Sequence, residues 1–195
     1  MIMTTDTGIY YLYNYTPTKY FRSCTEEEKN VSRKIWDYKN GDNNAVVLYT
    51  IKLMEAISII SKNINTQKLA LVAVPPSKVN KQSSVRTSIG ILSDWCSKGI
   101  ISSKFNCTKQ ILDFSGLLLR ISEISTAHEG IRATYEEQKR SISCTKTHLS
   151  RYWATFVILD DVTTIGTSMD VCKNILLENG AYDKYIIRLA IAKTI

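Results

Sequence analysis

A chain of 195 residues, 44% apolar and 22% charged, has the size and balance of one globular domain with a core of its own. No unbroken apolar run approaches the ~18 residues of a bilayer span, and no basic start followed by an apolar core marks a signal peptide, so neither is expected. The formal net charge of +7 suits nucleic acid and phosphorylated small molecules alike, and the 25 lysines and arginines are dispersed rather than blocked, which leaves nucleic acid the lesser reading.

Five scattered cysteines (Cys24, Cys96, Cys107, Cys144, Cys172) form no C-x-x-C pair. They point to reduced thiols in a cytoplasm rather than to a disulfide framework or a zinc site.

Residues 1–25 hold Tyr10, Tyr11, Tyr13, Tyr15 and Tyr20. Alternating aromatics predict an edge strand or a packed cap, with a base-stacking platform as the sharper alternative. Residues 23–38 predict a helix whose first turn, Thr25-Glu26-Glu27-Glu28, is capped and acidic. After Gly41-Asp42-Asn43-Asn44 a second helix is predicted over 45–61, with Val47, Ile51, Met54 and Ile57 or Ser58 as its core stripe.

The run Leu69-Ala70-Leu71-Val72-Ala73-Val74 predicts a buried strand, stopped by Pro75-Pro76 because proline cannot donate into a ladder. A polar loop with Ser77, Lys78 and Lys81 leads to a helix carrying Val85, Ile89, Leu92 and Cys96 on one face. Leu117-Leu118-Leu119 reads as a short core segment, and the polar stretch 120–140 as a mobile loop or lid.

Phe156-Val157-Ile158-Leu159 then runs into Asp160-Asp161 and a turn of hydroxyls and glycine, Thr163-Thr164-Ile165-Gly166-Thr167-Ser168, before an amphipathic helix closing on Gly180. Residues 185–191 supply a last strand. Strand, loop and helix in alternation predict an α/β chain: a single domain, 1–195, with a mainly parallel twisted sheet flanked by helices. Residues 1–35 form its N-terminal extension or cap and 115–150 a flexible hood.

The chemistry narrows by elimination. The chain holds no G-x-x-x-x-G-K-[ST], no G-x-G, no H-E-x-x-H and no G-x-S-x-G, and His128 and His148 are its only histidines. A sugar phosphate fits what remains. Backbone N–H groups and hydroxyls of 163–168, at a helix start, can converge on a phosphate, and Gly166 permits close approach. Asp160 and Asp161 suit a ribose diol or Mg²⁺, directly or through water, against the plainer reading of a solvated strand end.

Residues 158–168 resemble the phosphoribosyl-pyrophosphate (PRPP) motif of type I phosphoribosyltransferases, commonly V-D-D-V-x-T-T-G-x-T. The wider chain is most similar to the ComF-like branch, through Asp37-Tyr38-Lys39, Leu71-Val72-Ala73-Val74-Pro75 and the stretch 176–192 with Gly180. Ile165 stands where that family usually has its second threonine, and no Arg-Gly-Phe-Asn-Gln string follows Pro75-Pro76.

The resemblance implies transfer of phosphoribose from PRPP to an unidentified nitrogen acceptor, with Mg²⁺ as cofactor and pyrophosphate released. Asp160 and Asp161 would hold the ribose hydroxyls and the metal, and Thr163, Thr164, Ile165, Gly166, Thr167 and Ser168 the 5′-phosphate. Pro75, Pro76, Ser77, Lys78 and Arg86 would face the pyrophosphate. Arg120, His128 and Arg132 would lie in the hood. A homodimer is the assembly considered. Two alternatives stay open: a PRPP- or nucleotide-sensing protein without turnover, and a nucleic-acid accessory factor.

Overall fold

The computed structural model of the chain describes residues 2–124 and 133–195. Capping chemistry sets where its first helices begin. Thr25 and Glu28 form a reciprocal capping box at the start of α1 (Glu26–Lys39). Asp42 caps α2 (Asn43–Ser61) through the Ala45 N–H, and Ser83 caps α3 (Ser84–Ser97). The remaining helices are α4 (Ile100–Phe105), α5 (Tyr135–Arg140) and α6 (Thr167–Glu178). The strands are β1 (Met3–Thr4), β2 (Tyr10–Tyr15), β3 (Lys68–Ala73), β4 (Gln110–Asp113), β5 (Leu118–Arg120), β6 (Ile142–Cys144), β7 (Ala154–Thr163) and β8 (Ile186–Thr194).

Six strands make one sheet in the order β1-β2-β8-β7-β3-β4. All pairings from β2 to β4 are parallel, and only β1, at the edge, runs antiparallel. The architecture is therefore α/β, with a mostly parallel sheet flanked by helices. β3 and β7 are buried on both faces, which is why they read as continuous apolar runs. Leu69, Leu71, Val157 and Leu159 point to the face covered by α1 to α4, while Ala70, Val72, Phe156 and Ile158 point to the face covered by α6.

β3 leaves through α3 to β4, and its neighbour β7 leaves through α6 to β8, in the opposite direction. Crossovers of one hand that depart in opposite directions must use opposite faces, and here they do. The C-terminal ends of β3 and β7 therefore flank the switch point of the sheet. Ligands of open α/β sheets bind there.

Three differences from the sequence reading have physical causes. β7 does not stop at Leu159: β-branched Val162 and Thr163 extend its ladder to Ala192 and Lys193, so the two aspartates lie inside the strand's last third. In α2 the expected Met54, Ile57 and Ser58 are buried, but so are Val46, Tyr49 and Leu53, while Val47 is exposed and Ile51 half-buried; a helix apolar on nearly all sides gives no single stripe. By length and composition this helix is the one among the described residues that could cross a bilayer, but just over half of it is buried inside the protein, as a core helix.

The region 115–150 is also more regular than a bare loop. β5 and β6 pair as a second, antiparallel sheet, Leu118 opposite Cys144 and Arg120 opposite Ile142. α5, capped by Thr134 and Glu137, docks on α6 through Asn174–Tyr135 and Lys139–Glu178 contacts. The tyrosines of β2 pack at a core edge, as the sequence suggests, although β2 is paired on both sides and is not itself the edge strand: Tyr13 meets Tyr49 edge-on at 5.7 Å. Tyr49 in turn meets Tyr38 at 5.4 Å.

Candidate functional site

The turn between β7 and α6 is short. Thr163 ends the strand and is buried, Thr164 and Ile165 are exposed, and Gly166 is the N-cap with φ +90°. No side chain caps α6, whose first N–H groups have no acceptor within the helix and carry the positive end of its dipole. A Cβ on Gly166 would lie 2.4 Å from Cδ1 of Ile9, so glycine is required both by its φ and by the N-terminal hairpin pressed against it. That hairpin is anchored by Arg188, which donates to the Thr7 carbonyl and pairs with Asp170 of α6. Ser168 donates to Oε1 of the buried Gln138 at 2.8 Å, tying α5 to the turn.

Ile165 is 67% exposed, an apolar side chain presented to solvent in a turn of hydroxyls. It lines a cleft of about 490 Å³ with Thr5, Asp6, Thr7, Thr164 and Lys193. A cleft of that size falls within the range that holds small ligands, ~300–1,000 Å³.

Asp160 and Asp161 lie on β7 at the mouth of the crevice. The Asp161 N–H donates to the Asp160 carboxylate at 2.9 Å, and the Val162 N–H to that of Asp161 at 2.5 Å. Lys39, at the end of α1, stands 4.0 Å from the Asp161 carboxylate. Burial pushes the Asp160 carboxyl well above the usual carboxylate range, the neighbouring Asp161 charge pushes it further, and the Asp161 N–H and Lys39 oppose them.

Across the crevice, Val74 N–H donates to the Leu159 carbonyl at 2.9 Å and joins the β3 loop to β7. Three successive carbonyls of that loop are held from beneath. Arg120 Nε donates to Pro76 at 2.8 Å and Nη2 to Pro75 at 3.2 Å, while the Ile124 N–H donates to Ser77 at 3.2 Å. Arg120 also donates to Ser141 Oγ. Arg120 is thus a strand residue, 7% exposed, in the floor of the loop, and its guanidinium lies below its ordinary pKa because of desolvation. Arg86, in the first turn of α3, donates to the Leu118 carbonyl at 3.1 Å, and its Nε is buried without an acceptor among the described residues. Lys78 is exposed. His128 and Arg132 lie outside the described residues.

The fold thus brings the phosphate-type turn, the aspartate pair and the β3 loop to one edge of the sheet. It adds Lys39, Gln138 and the Thr5–Thr7 turn, which sequence reasoning had not placed there. Lys39 belongs to the Asp37-Tyr38-Lys39 stretch that carries the resemblance, whereas nothing in the local sequence marks Gln138 or the Thr5–Thr7 turn, which reach the site from distant parts of the chain.

Among the described residues no cluster of three or more metal-ligating side chains exists. Two adjacent carboxylates are a hard-oxygen set that fits Mg²⁺ only with further oxygens from a ligand and water. The fold and this edge define an α/β protein with its crevice at the switch point of a parallel sheet. In comparisons with known proteins, no protein-family model matches the chain and no curated protein sequence is significantly similar to it.

Proposed function

We propose that the chain is a type I phosphoribosyltransferase-like protein that binds PRPP with Mg²⁺ and transfers phosphoribose to a nitrogen acceptor, releasing pyrophosphate. One observation carries this reading. β3 and β7 are neighbours whose crossovers diverge, so an uncapped helix start with a positive-φ glycine and a basic loop flank a single crevice with two aspartates between them. Each part answers one piece of the ligand: helix N–H groups a terminal phosphate, carboxylates a vicinal diol, and a basic loop a diphosphate.

The transfer needs no protein nucleophile. Charge of oxocarbenium type develops on the ribose, and carboxylates held nearby stabilise it. Mg²⁺, when bound, neutralises charge on the departing diphosphate. Reduced thiols accord with a cytoplasmic setting, as the five cysteines are free.

The test is calorimetric binding of PRPP with and without Mg²⁺, for wild type and for an Asp160→Asn/Asp161→Asn variant with a normal melting curve. Saturable binding by wild type, weakened in the variant by at least about tenfold, is the expected result. A folded wild type that binds no PRPP under either condition overturns the proposal. Pyrophosphate release with a panel of bases and amines then measures turnover.

A second reading, a PRPP- or nucleotide-sensing protein without turnover, has its own support. Pro75 and Pro76 bring no N–H groups to the diphosphate side, and Ile165 brings no hydroxyl. It predicts stabilisation of about 2.7 kcal/mol at a ligand concentration a hundredfold above Kd, with no ligand consumed.

A further inference from the structure

Arg120 is buried and Arg86 half-buried, yet neither pairs with a carboxylate among the described residues. The acceptors they do find are neutral: the carbonyls of Pro75, Pro76 and Leu118, and the Ser141 hydroxyl. A buried charge without a counter-charge is costly, and Arg86 adds a cation at the positive end of α3, where anions are favoured. Both arginines adjoin the same feature, the loop that leads from β3 into α3.

The peptide geometry of that loop shows what Arg120 does. In a trans peptide the C=O and the following N–H point in opposite directions, and the described chain has no cis bond. The Pro76 carbonyl is drawn to Arg120, so the Ser77 N–H points away from it. The Ser77 carbonyl is drawn to the Ile124 N–H, so the Lys78 N–H points away as well. Neither N–H has an acceptor among the described residues. Two consecutive backbone donors without a protein acceptor are groups that an anion can take up.

We infer that Arg120 is a positioning residue for the diphosphate group of the ligand: together with Ile124 it holds the loop carbonyls inward, and so presents the N–H groups of Ser77 and Lys78 as a donor pair. The inference rests on the PRPP reading of the crevice and extends it. The two prolines then have a use. They stiffen the loop and leave no competing donors before the pair, and the carbonyls that would repel an anion are occupied by a cation.

The experiment titrates inorganic pyrophosphate and ribose 5-phosphate separately into wild type, Arg120→Met, Arg120→Lys and Ser141→Ala, each checked by thermal melting. Wild type is expected to bind both probes. Arg120→Met should weaken pyrophosphate by about tenfold or more, Arg120→Lys should regain part of this, and Ser141→Ala, which removes one acceptor of Arg120, should cost about threefold. Ribose 5-phosphate, seated at α6, should change by less than about twofold in all three, because it uses none of these groups. A merely structural arginine would weaken both probes together, and that result overturns the inference, as does unchanged pyrophosphate binding in the folded variants. Should Arg120→Met fail to fold, Ser141→Ala decides. Wild type binding ribose 5-phosphate but not pyrophosphate sinks the inference alone; wild type binding neither sinks the reading beneath it.

Discussion

Lys39, the last residue of α1, holds its ammonium 4.0 Å from the carboxylate of Asp161 and 5.9 Å from the centre of the Tyr15 ring. The contact joins an element of the N-terminal part to the central strand at the mouth of the crevice. Both partners are about one-third exposed, so solvent screens the pair and its weight in stability is small.

Replacement of Lys39 by methionine should therefore lower stability by no more than about 1 kcal/mol. The effect on ligand is expected to be larger. Without the ammonium the aspartate pair repels a phosphorylated ligand, and PRPP affinity measured without Mg²⁺ should fall about fivefold, the weight of roughly 1 kcal/mol for one charge. Added Mg²⁺ should recover part of the loss. Equal affinities of the two proteins without Mg²⁺ would remove Lys39 from the site.

Asp160 makes stability depend on pH with a definite sign. Its carboxyl is raised in the folded chain, so folding takes up a proton between the unfolded value, about 3.9, and the higher folded one. This group's contribution is most favourable below the unfolded value and declines as pH rises through the folded value. Asp160→Asn abolishes that decline. Its melting temperature should exceed that of wild type near neutral pH, and the gap should close as the pH approaches about 4. A gap that does not vary with pH would refute the assignment.

Gly166 and Ile9 should behave as a coupled pair. Gly166→Ala meets both a positive φ and a 2.4 Å approach to Cδ1 of Ile9, and should cost about 2–4 kcal/mol. Ile9→Val removes that methyl and by itself should cost about 0.5–1.5 kcal/mol. The double variant should be less destabilised than the sum of the two in denaturant melts. Strict additivity would mean that the hairpin does not press on the turn.

Ile165→Thr restores a hydroxyl to the turn at an exposed position. Stability should change by less than about 0.5 kcal/mol, while ribose 5-phosphate should bind about threefold tighter. Weaker binding would indicate that the apolar side chain, and not a missing donor, matters to the ligand.

The elements that could be read from the residues are those with local signatures. The capped start of α1, the apolar runs of β3 and β7 and the stripe of α3 each announce themselves within a dozen residues. β5, β6 and α5 do not, because three to six residues are too few to display a period. Their stability comes from packing: Arg120 and Gln138 are buried amid carbonyls and hydroxyls contributed by other segments. Hence Arg120, which has the composition of a lid residue, sits in a floor.

By itself the sequence determined the alternation of strand and helix, the two apolar central strands, and the aspartates, hydroxyls and glycine that follow one of them. These are consequences of local polarity, period and backbone freedom. The order of strands in the sheet was decided only in three dimensions, since pairing depends on which crossovers can cover which face. With that order came the adjacency of the β3 and β7 loops, the approach of Lys39 to Asp161, the pressure of Ile9 on Gly166 and the grip of Arg120 on Pro75 and Pro76. Each joins residues from distant parts of the chain, and contacts of that kind are a property of the packed fold, not of any segment within it.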